Sequence, residues 1–211
     1  MTSQLTDVRI CFIGDSFVAG AGDPRHLGWA GRLATHSHTS GQPLTSYNLG
    51  IRRDTSSDVL ARCRTECIPR LPASCQAGVV LSFGVNDTTI EHGSPRITPN
   101  ASATNMHALL GQAGTMGWPV LVVGPPAVDD ERQNERTAAV DAAFAEACAL
   151  HEVPYVSVLA ALRTDAIWRR QVREGDGAHP SAEGYLVLTG LLLPAWDAWL
   201  ASVWPWPSEP C

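Results

Sequence analysis

The chain of 211 residues contains 45% hydrophobic and 17% charged residues and carries a formal net charge of −6. This balance excludes a disordered chain and is ordinary for a protein with one substantial core. The acidic balance provides no basic surface, so we expect no nucleic-acid partner. We predict one domain over residues 1–203, followed by an extended Pro/Trp-rich tail over residues 204–211.

The first residues carry no recognisable export signal, because Asp7 and Arg9 lead directly into a predicted strand. No run of about 18 uninterrupted apolar residues occurs, so we expect no membrane span. The six cysteines follow no disulfide-framework spacing, which predicts reduced thiols and a cytoplasmic location. Cys63, Cys67 and Cys75 are candidate zinc ligands by residue type, but no clear fourth ligand lies nearby, so we expect plain buried thiols. We therefore expect neither a metal nor a cofactor.

Short apolar runs alternate with longer helical segments along the chain. The predicted strands are continuous apolar runs, as in strands buried on both faces of a sheet: Val8–Ile13, Thr45–Leu49, Gly78–Phe83, Val120–Val123 and Pro154–Val158. The predicted helices follow these strands at about Trp29–His38, Ser56–Arg70, Ala101–Met116, Arg132–His151 and Ala182–Val203. Strands joined by helical crossovers predict a mostly parallel sheet in a three-layer α/β fold.

Three residues suited to a role in catalysis follow the ends of separate predicted strands. Ser16 follows the first strand, Gly50 the second and Asn86 the third. Ligand sites of parallel sheets lie outside the carboxyl ends of the strands, so we expect these residues to meet at one edge. Their convergence is stronger evidence for a site than any one of them alone.

Ser16 is the candidate nucleophile, in the run Gly14-Asp15-Ser16. A serine hydroxyl needs an adjacent base and a turn that presents it. The alternative is that Asp15 and Ser16 merely cap the turn between a strand and a helix. A phosphate-binding loop is disfavoured, because no Gly-Lys-Ser/Thr is present and the spacing of Gly14, Gly20 and Gly22 does not fit a dinucleotide fingerprint.

His179 is the candidate general base, and Asp176 stands three residues before it. The carboxylate would accept a hydrogen bond from one ring nitrogen and hold the tautomer whose other nitrogen takes the serine proton. The alternative is a loop in which Asp176 caps a turn, Pro180 ends it and Ser181 caps the last helix. The spacing of the acid and the histidine, together with Ser16, favours catalysis, with activity rising as His179 loses its proton.

Gly50 and Asn86 are candidate oxyanion donors, with the Ser16 N–H as a third. Glycine lets a backbone N–H approach a carbonyl closely, and the asparagine amide supplies a side-chain donor. Taken singly, the glycine fits an ordinary turn and the asparagine an Asx turn. Three acidic residues near the same edge are expected to brace loops or cap helices rather than hold a metal: Asp15, Asp54 and Asp87.

Together, these blocks resemble those of the SGNH hydrolases, the superfamily of GDSL-type esterases and lipases. Gly14-Asp15-Ser16 matches the nucleophile block and Gly50 the second block. Gly84-Val85-Asn86-Asp87 matches the Gly-x-Asn-Asp block, and Asp176-Gly177-Ala178-His179-Pro180 the Asp-x-x-His-Pro block. The matches occur in the family's order over nearly the whole chain.

The resemblance implies Ser16 as nucleophile, His179 as base, Asp176 as its orienting acid, and Gly50 and Asn86 as partners in the oxyanion hole. It also implies a flavodoxin-like α/β/α sandwich whose five parallel strands run in the order 2-1-3-4-5. Phe17 replaces the leucine of the namesake motif, a change we expect to affect packing behind the serine. Val18 stands where an ordinary α/β-hydrolase elbow has its second glycine, which disfavours that fold.

The expected reaction is hydrolysis of a small-molecule ester through an acyl-enzyme. Because the chain leaves little material for a lid, we expect short acyl chains on a soluble substrate. A carbohydrate O-acetylesterase and an acyl thioesterase are the enzymatic alternatives, since the fold does not choose among them. A non-catalytic ligand-binding module and a flavodoxin-like cofactor protein are alternatives from other classes. The oligomeric state is open, with Trp196, Trp199 and Trp204 as candidates for an interface.

Overall fold

The computed structural model describes residues 7–204 of the chain. The strands are β1 (Val8–Gly14), β2 (Thr45–Gly50), β3 (Gln76–Ser82), β4 (Ile90–Glu91), β5 (Ser94–Pro95), β6 (Val120–Val123) and β7 (Tyr155–Val156). The helices are α1 (Ser16–Ala19), α2 (Gly28–Thr39), α3 (Ser56–Cys67), α4 (Pro99–Met116), α5 (Glu131–Leu150), α6 (Leu159–Thr164), α7 (Ala166–Glu174) and α8 (Ala182–Val203). The central sheet has five parallel strands in the order β2-β1-β3-β6-β7. Counted along the chain, its strands have the predicted order 2-1-3-4-5, and the predicted α/β fold is confirmed.

The sheet is buried on both faces, which explains why its strands have continuous apolar sequences. Along β1, Ile10 and Phe12 enter one core cluster, whereas Cys11 and Ile13 enter the other. This separation follows from the alternation of side chains across a strand. The first cluster includes buried residues of α2, α7 and α8, and the second includes those of α3, α4 and α5. Helices therefore cover both faces of the sheet.

Local signals predict the starts and packing faces of several helices correctly. Thr55 caps α3 and shares a reciprocal capping box with Asp58. On α5, Val140 and Phe144 are fully buried, as expected for the apolar face of this helix. Ser181 occupies the N-cap position of α8, but its side chain makes no capping hydrogen bond. Ser181 is therefore the N-cap residue, as predicted, but its hydroxyl does not make the capping hydrogen bond that the prediction implies.

The predicted elements differ from the structure mainly where an element is short. The four-residue α1, the hairpin β4-β5, α6 and α7 were not predicted. On α7, Trp168 and Val172 are its buried residues, which is too few to stand out as a periodic pattern in the sequence. The last strand is shorter than predicted, because Val158 is the N-cap residue of α6.

The apolar C-terminal helix α8 packs three tryptophans into the protein. Trp196, Trp199 and Trp204 are buried, and their rings contact one another in sequence, with centroids 5.5 Å apart in each neighbouring pair. The suggestion that they form an interface with another chain is therefore wrong, because their surface is already used internally. Trp204 belongs to the core rather than to an extended tail, while residues 205–211 lie outside the described residues.

By length and composition alone, α8 would be able to cross a membrane. The sequence predicts no membrane span because it has no long uninterrupted apolar run, and in α8 the apolar residues are interrupted by Thr189 and Asp197. Core helices of soluble proteins pass the same test; Tyr185, Leu192 and Trp196 of α8 are fully buried, and 33% of its apolar window is buried inside the protein. One such helix is weak evidence for a span.

Cys11, Cys63, Cys67, Cys75 and Cys148 are free thiols. Cys63 and Cys67 lie among apolar side chains of the second core cluster. Burial is therefore the evident role of this pair. Cys211 lies outside the described residues.

Candidate active site

The turn between β1 and α1 presents Ser16 at the carboxyl end of the sheet. Asp15 is the N-cap residue of α1, and its carboxylate accepts a hydrogen bond from the Phe17 N–H at 2.9 Å. Gly14 has to be glycine, because a Cβ atom there would overlap the carbonyl oxygen of Ser82 on β3. The strand end is therefore packed tightly enough to hold the serine in one position.

A continuous hydrogen-bonded chain joins Ser16, His179 and Asp176. The Ser16 Oγ atom lies 2.7 Å from His179 Nε2, although the two residues are 163 positions apart in the sequence. On the other side of the ring, His179 Nδ1 lies 2.7 Å from Asp176 Oδ2. This geometry is the one in which an imidazole takes a proton from a hydroxyl while a carboxylate fixes its tautomer.

Asp176 also braces the loop that carries the histidine. Its Oδ1 atom accepts the backbone N–H groups of Ala178 at 3.0 Å and His179 at 2.8 Å. The turn-capping alternative is thus correct for one carboxylate oxygen, while the other oxygen faces the imidazole. Desolvation raises the pKa of Asp176, but the hydrogen bonds from His179 and Ala178 outweigh it and lower the pKa to about 2. The carboxylate therefore stays ionised across the neutral pH range.

The histidine ring is held from the side by aromatic packing. The ring of Phe17 lies 4.9 Å from the His179 ring, centroid to centroid, and stacks at 6.3 Å on Trp168. The indole N–H of Trp168 donates to the Ala127 carbonyl at 2.9 Å, which fixes the tryptophan in turn. Phe17 therefore packs against the histidine ring and Trp168, a contact that the sequence did not predict.

Gly50 ends β2 and lies directly against α1. A Cβ atom on this residue would overlap the backbone nitrogen of Ala19, so no larger residue fits without displacing α1. The Gly50 N–H donates to Asn48 Oδ1 at 3.0 Å, and Asn48 Nδ2 donates to the Val18 carbonyl at 2.7 Å. Asn48 therefore ties the end of β2 to the turn that carries Ser16.

Asn86 begins a short 3-10 turn after β3. Its Nδ2 group donates to the Asp54 carbonyl at 3.0 Å and lies 3.4 Å from Asp15 Oδ2. Burial is the main cause that raises the pKa of Asp15, which reaches about 7. The Phe17 N–H lowers this pKa, while the charges of Asp87 and Asp54 raise it further. Asn86 thus offers a nearby polar group to a carboxyl that is deeply buried.

The acidic residues near the site brace the structure, as predicted. The Asp87 carboxylate accepts the Ser56 N–H at 2.7 Å and the Ser102 hydroxyl at 2.6 Å, joining the starts of α3 and α4. Asp54 pairs with Arg62 of α3 at 2.6 Å. Within residues 7–204, no group of three or more potential metal ligands occurs.

The structure brings all the predicted site residues to one edge of the sheet, but two of the three predicted oxyanion donors already have hydrogen-bond acceptors. Gly50 and Asn86 each already donate to a group of the protein itself. Within the described part of the chain, the Ser16 N–H has no hydrogen-bond partner. Sequence analysis did not single out the side-chain role of Asn48, because a contact to a backbone carbonyl 30 positions away leaves no periodic signal.

Trp29, in the first turn of α2, belongs to the core. It is fully buried and packs against Phe12 with the ring centroids 5.7 Å apart.

Beside the His179–Asp176 pair lies an open cavity of about 560 Å³. Its lining combines polar and apolar surface in similar shares, and its polar side chains include Arg52, Gln171, Glu174 and Ser181.

The comparisons with known proteins identify a family and a shared fold. The model of the GDSL-like lipase/acylhydrolase family matches residues 12–187. A lipase/acylhydrolase structure from Enterococcus faecalis is 24% identical, with 90% of this chain and 95% of that chain covered and a TM-score of 0.74. TesA is 22% identical, with 91% and 99% covered and a TM-score of 0.75. The acetylxylan esterase Axe2 from Geobacillus stearothermophilus is 16% identical, with 92% and 96% covered and a TM-score of 0.72.

At these identities, the solved structures establish the shared fold. No curated protein sequence matches the chain significantly. The family model, in contrast, covers most of the chain and includes the nucleophile turn, the second and third blocks and the Asp-x-x-His-Pro loop. The chain therefore belongs to the GDSL-like lipase/acylhydrolase family of the SGNH superfamily, and it is a hydrolase that acts on ester bonds.

Proposed function

We propose that the protein is a serine esterase in which Ser16, His179 and Asp176 form the catalytic triad. The observation that carries this proposal is the hydrogen-bonded chain from Ser16 Oγ through His179 to Asp176, with both distances 2.7 Å. The Asp176 contact favours the tautomer with the proton on Nδ1, which leaves Nε2 free to accept the serine proton.

The reaction proceeds through a covalent acyl-enzyme. His179 takes the hydroxyl proton as Ser16 Oγ attacks the ester carbonyl, and the same proton then passes to the departing alkoxide. Water next attacks the acyl group with His179 again as base. The acid is released, and Ser16 recovers its proton.

The proposed oxyanion hole consists of the Ser16 N–H, the Gly50 N–H and the Asn86 amide. The Ser16 N–H is available in the described part of the chain, so it supplies an unshared donor. Gly50 has to share its hydrogen with Asn48 Oδ1 or exchange that partner for the oxyanion. Asn86 has two amide hydrogens, so it would keep its bond to the Asp54 carbonyl and exchange its longer, 3.4 Å contact with Asp15 Oδ2 for the oxyanion.

Asn86→Ala is expected to lower kcat by about 100- to 1,000-fold with a smaller change in KM, because it removes a donor to charge that develops in the transition state. Steady-state kinetics on p-nitrophenyl acetate would measure the split. Asn100→Ala, an exposed change at the start of α4, is the control and should keep wild-type kinetics. An Asn86→Ala variant with unchanged kcat would remove Asn86 from the oxyanion hole.

Short acyl chains on a soluble substrate remain the proposed substrate class. The cavity beside His179 and Asp176 is open and lined by charged and polar side chains such as Arg52, Glu174 and Gln171. Such a lining is better suited to a hydrated alcohol portion than to a long alkyl chain.

A carbohydrate O-acetylesterase is the first alternative, and the charged and amide side chains in the same lining favour it. Axe2, whose fold the chain shares, is an acetylxylan esterase, and TesA represents another member of the fold. Release of acetate from acetylated xylo-oligosaccharides faster than from p-nitrophenyl acetate would support the carbohydrate substrate. Faster hydrolysis of short acyl thioesters than of the matching oxygen esters would instead support a thioesterase.

Labelling with a fluorophosphonate probe, followed by mass spectrometry of the adduct, tests the proposed nucleophile. We expect a single adduct on Ser16 and turnover of p-nitrophenyl esters that is fastest for acetate or butyrate. Hydrolysis that rises steadily to long chains would contradict the proposed substrate class. If no ester were hydrolysed and no adduct formed, the non-catalytic binding module would become the better interpretation.

A further inference from the structure

Arg62, on the second turn of α3, points back to the end of the sheet instead of into solvent. Its side chain is only 14% exposed. The Nε atom donates to Asp54 Oδ2 at 2.6 Å, and the two terminal nitrogens donate to the carbonyls of Leu49 at 2.9 Å and Gly14 at 2.8 Å. One planar guanidinium thus holds a carboxylate and two strand-end carbonyls at once.

The first of these carbonyls belongs to a proposed oxyanion donor. The Leu49 carbonyl and the Gly50 N–H are parts of the same peptide group. A charged donor on the carbonyl polarises that group and makes its N–H a stronger donor. The bond also fixes the plane of the peptide and therefore the direction of the Gly50 N–H.

The second carbonyl lies at the base of the nucleophile turn. The Gly14 carbonyl accepts the Arg62 guanidinium and also the Ile51 N–H at 3.0 Å. Gly14 directly precedes Asp15 and Ser16, whereas Ile51 directly follows Gly50. Arg62 therefore acts at the point where the nucleophile turn meets the loop after β2.

The carboxylate connects Arg62 to the third donor. Asp54 is held through its side chain by Arg62, and its backbone carbonyl accepts the Asn86 amide at 3.0 Å. Glu66, one turn further along α3, lies 3.2 Å from the same guanidinium and helps to orient it. Arg62 thus contacts a group next to each of the three donors: the Gly14 carbonyl near Ser16, the Leu49 carbonyl before Gly50, and Asp54, which binds Asn86.

We propose that Arg62 is a positioning residue that aligns the three donors of the oxyanion hole, an inference that rests on the proposed function above. Arg62 touches neither Ser16 nor His179 in the structure, and its action passes through Gly14, Leu49 and Asp54. Lysine is a poor substitute, because a single ammonium group lacks the planar fork that serves these separate acceptors.

The test compares Arg62→Lys and Arg62→Ala with the wild-type protein in ester hydrolysis and in inhibition by an alkyl boronic acid. Boronic acids add to a serine hydroxyl and form a tetrahedral adduct that places an oxygen in the oxyanion hole. We expect kcat to fall by about 10- to 100-fold, the inhibition constant of the boronic acid to rise in proportion, and KM to stay near the wild-type value. The loss should be smaller in Arg62→Lys than in Arg62→Ala.

Thermal unfolding and a control variant separate positioning from general stability. Arg70→Ala is the control, because Arg70 follows α3 and also donates to a backbone carbonyl, that of Glu66. It should keep wild-type kcat and boronic acid affinity. If Arg62→Ala does not fold, Arg62→Lys carries the test.

Two results would overturn the inference: wild-type kcat and boronic acid affinity in folded Arg62 variants, or a loss of kcat that leaves boronic acid affinity unchanged. The proposed function is judged separately on proteins with Arg62 intact. If calorimetry shows that the boronic acid binds the wild-type protein but not Ser16→Ala, the serine mechanism stands whatever the Arg62 variants show.

Discussion

Ser16→Ala is expected to lower kcat/KM for p-nitrophenyl acetate by about 10,000-fold or more, because it removes the atom that forms the acyl-enzyme. The residual rate would come from the donors that still bind the carbonyl oxygen. The variant should fold normally, since alanine fits the space of serine and the hydroxyl bonds to His179 alone among the contacts described.

The measurement combines steady-state hydrolysis, fluorophosphonate labelling and thermal unfolding. Ser202→Ala is a matched control at the opposite end of α8 from the active site, where the hydroxyl donates to the Trp199 carbonyl. The control should retain both turnover and labelling. If Ser16→Ala kept full turnover while folded, another residue would have to be the nucleophile.

The fold and the proximity of Ser16, His179 and Asp176 could be predicted because both leave strong signals in the sequence. Strands buried on two faces produce continuous apolar runs, and parallel strands bring their carboxyl ends to one edge. That rule alone places Ser16, Gly50 and Asn86 together, although they follow three different strands. The pairing of His179 with Asp176 is local, so its spacing is also visible in the chain.

The supporting contacts could not be predicted, because they depend on backbone carbonyls rather than on residue types. Asn48 reaches the Val18 carbonyl and Arg62 reaches the Gly14 carbonyl, and neither acceptor depends on the side chain at its position. The C-terminal tryptophans show a related difficulty. Apolar composition does not reveal whether Trp196 and Trp199 pack inside the protein or lie on a surface that binds another chain. In the structure, the packing of α8 places both in the core.

Asp176→Asn is expected to lower kcat/KM by about 10,000-fold by changing the tautomer of His179. The backbone N–H groups of Ala178 and His179 donate to Oδ1, so the oxygen of an asparagine would remain on that side. Its NH₂ group would then take the place of Oδ2, 2.7 Å from His179 Nδ1, and donate a hydrogen there. The ring would carry its proton on Nε2 and would no longer accept the proton of Ser16.

Hydrolysis rates measured between pH 6 and pH 9, together with thermal unfolding, would check this prediction. The wild-type carboxylate has its pKa lowered to about 2, so its own titration does not contribute to the profile in that range. Asp129→Asn is the control, because it makes the same exchange at an exposed acid that pairs with Arg173. If Asp176→Asn kept wild-type activity, Asp176 would serve only to cap its turn. A large loss in a variant that unfolds at the wild-type temperature would instead show that the carboxylate acts on the imidazole, because the backbone hydrogen bonds at Oδ1 would still be in place.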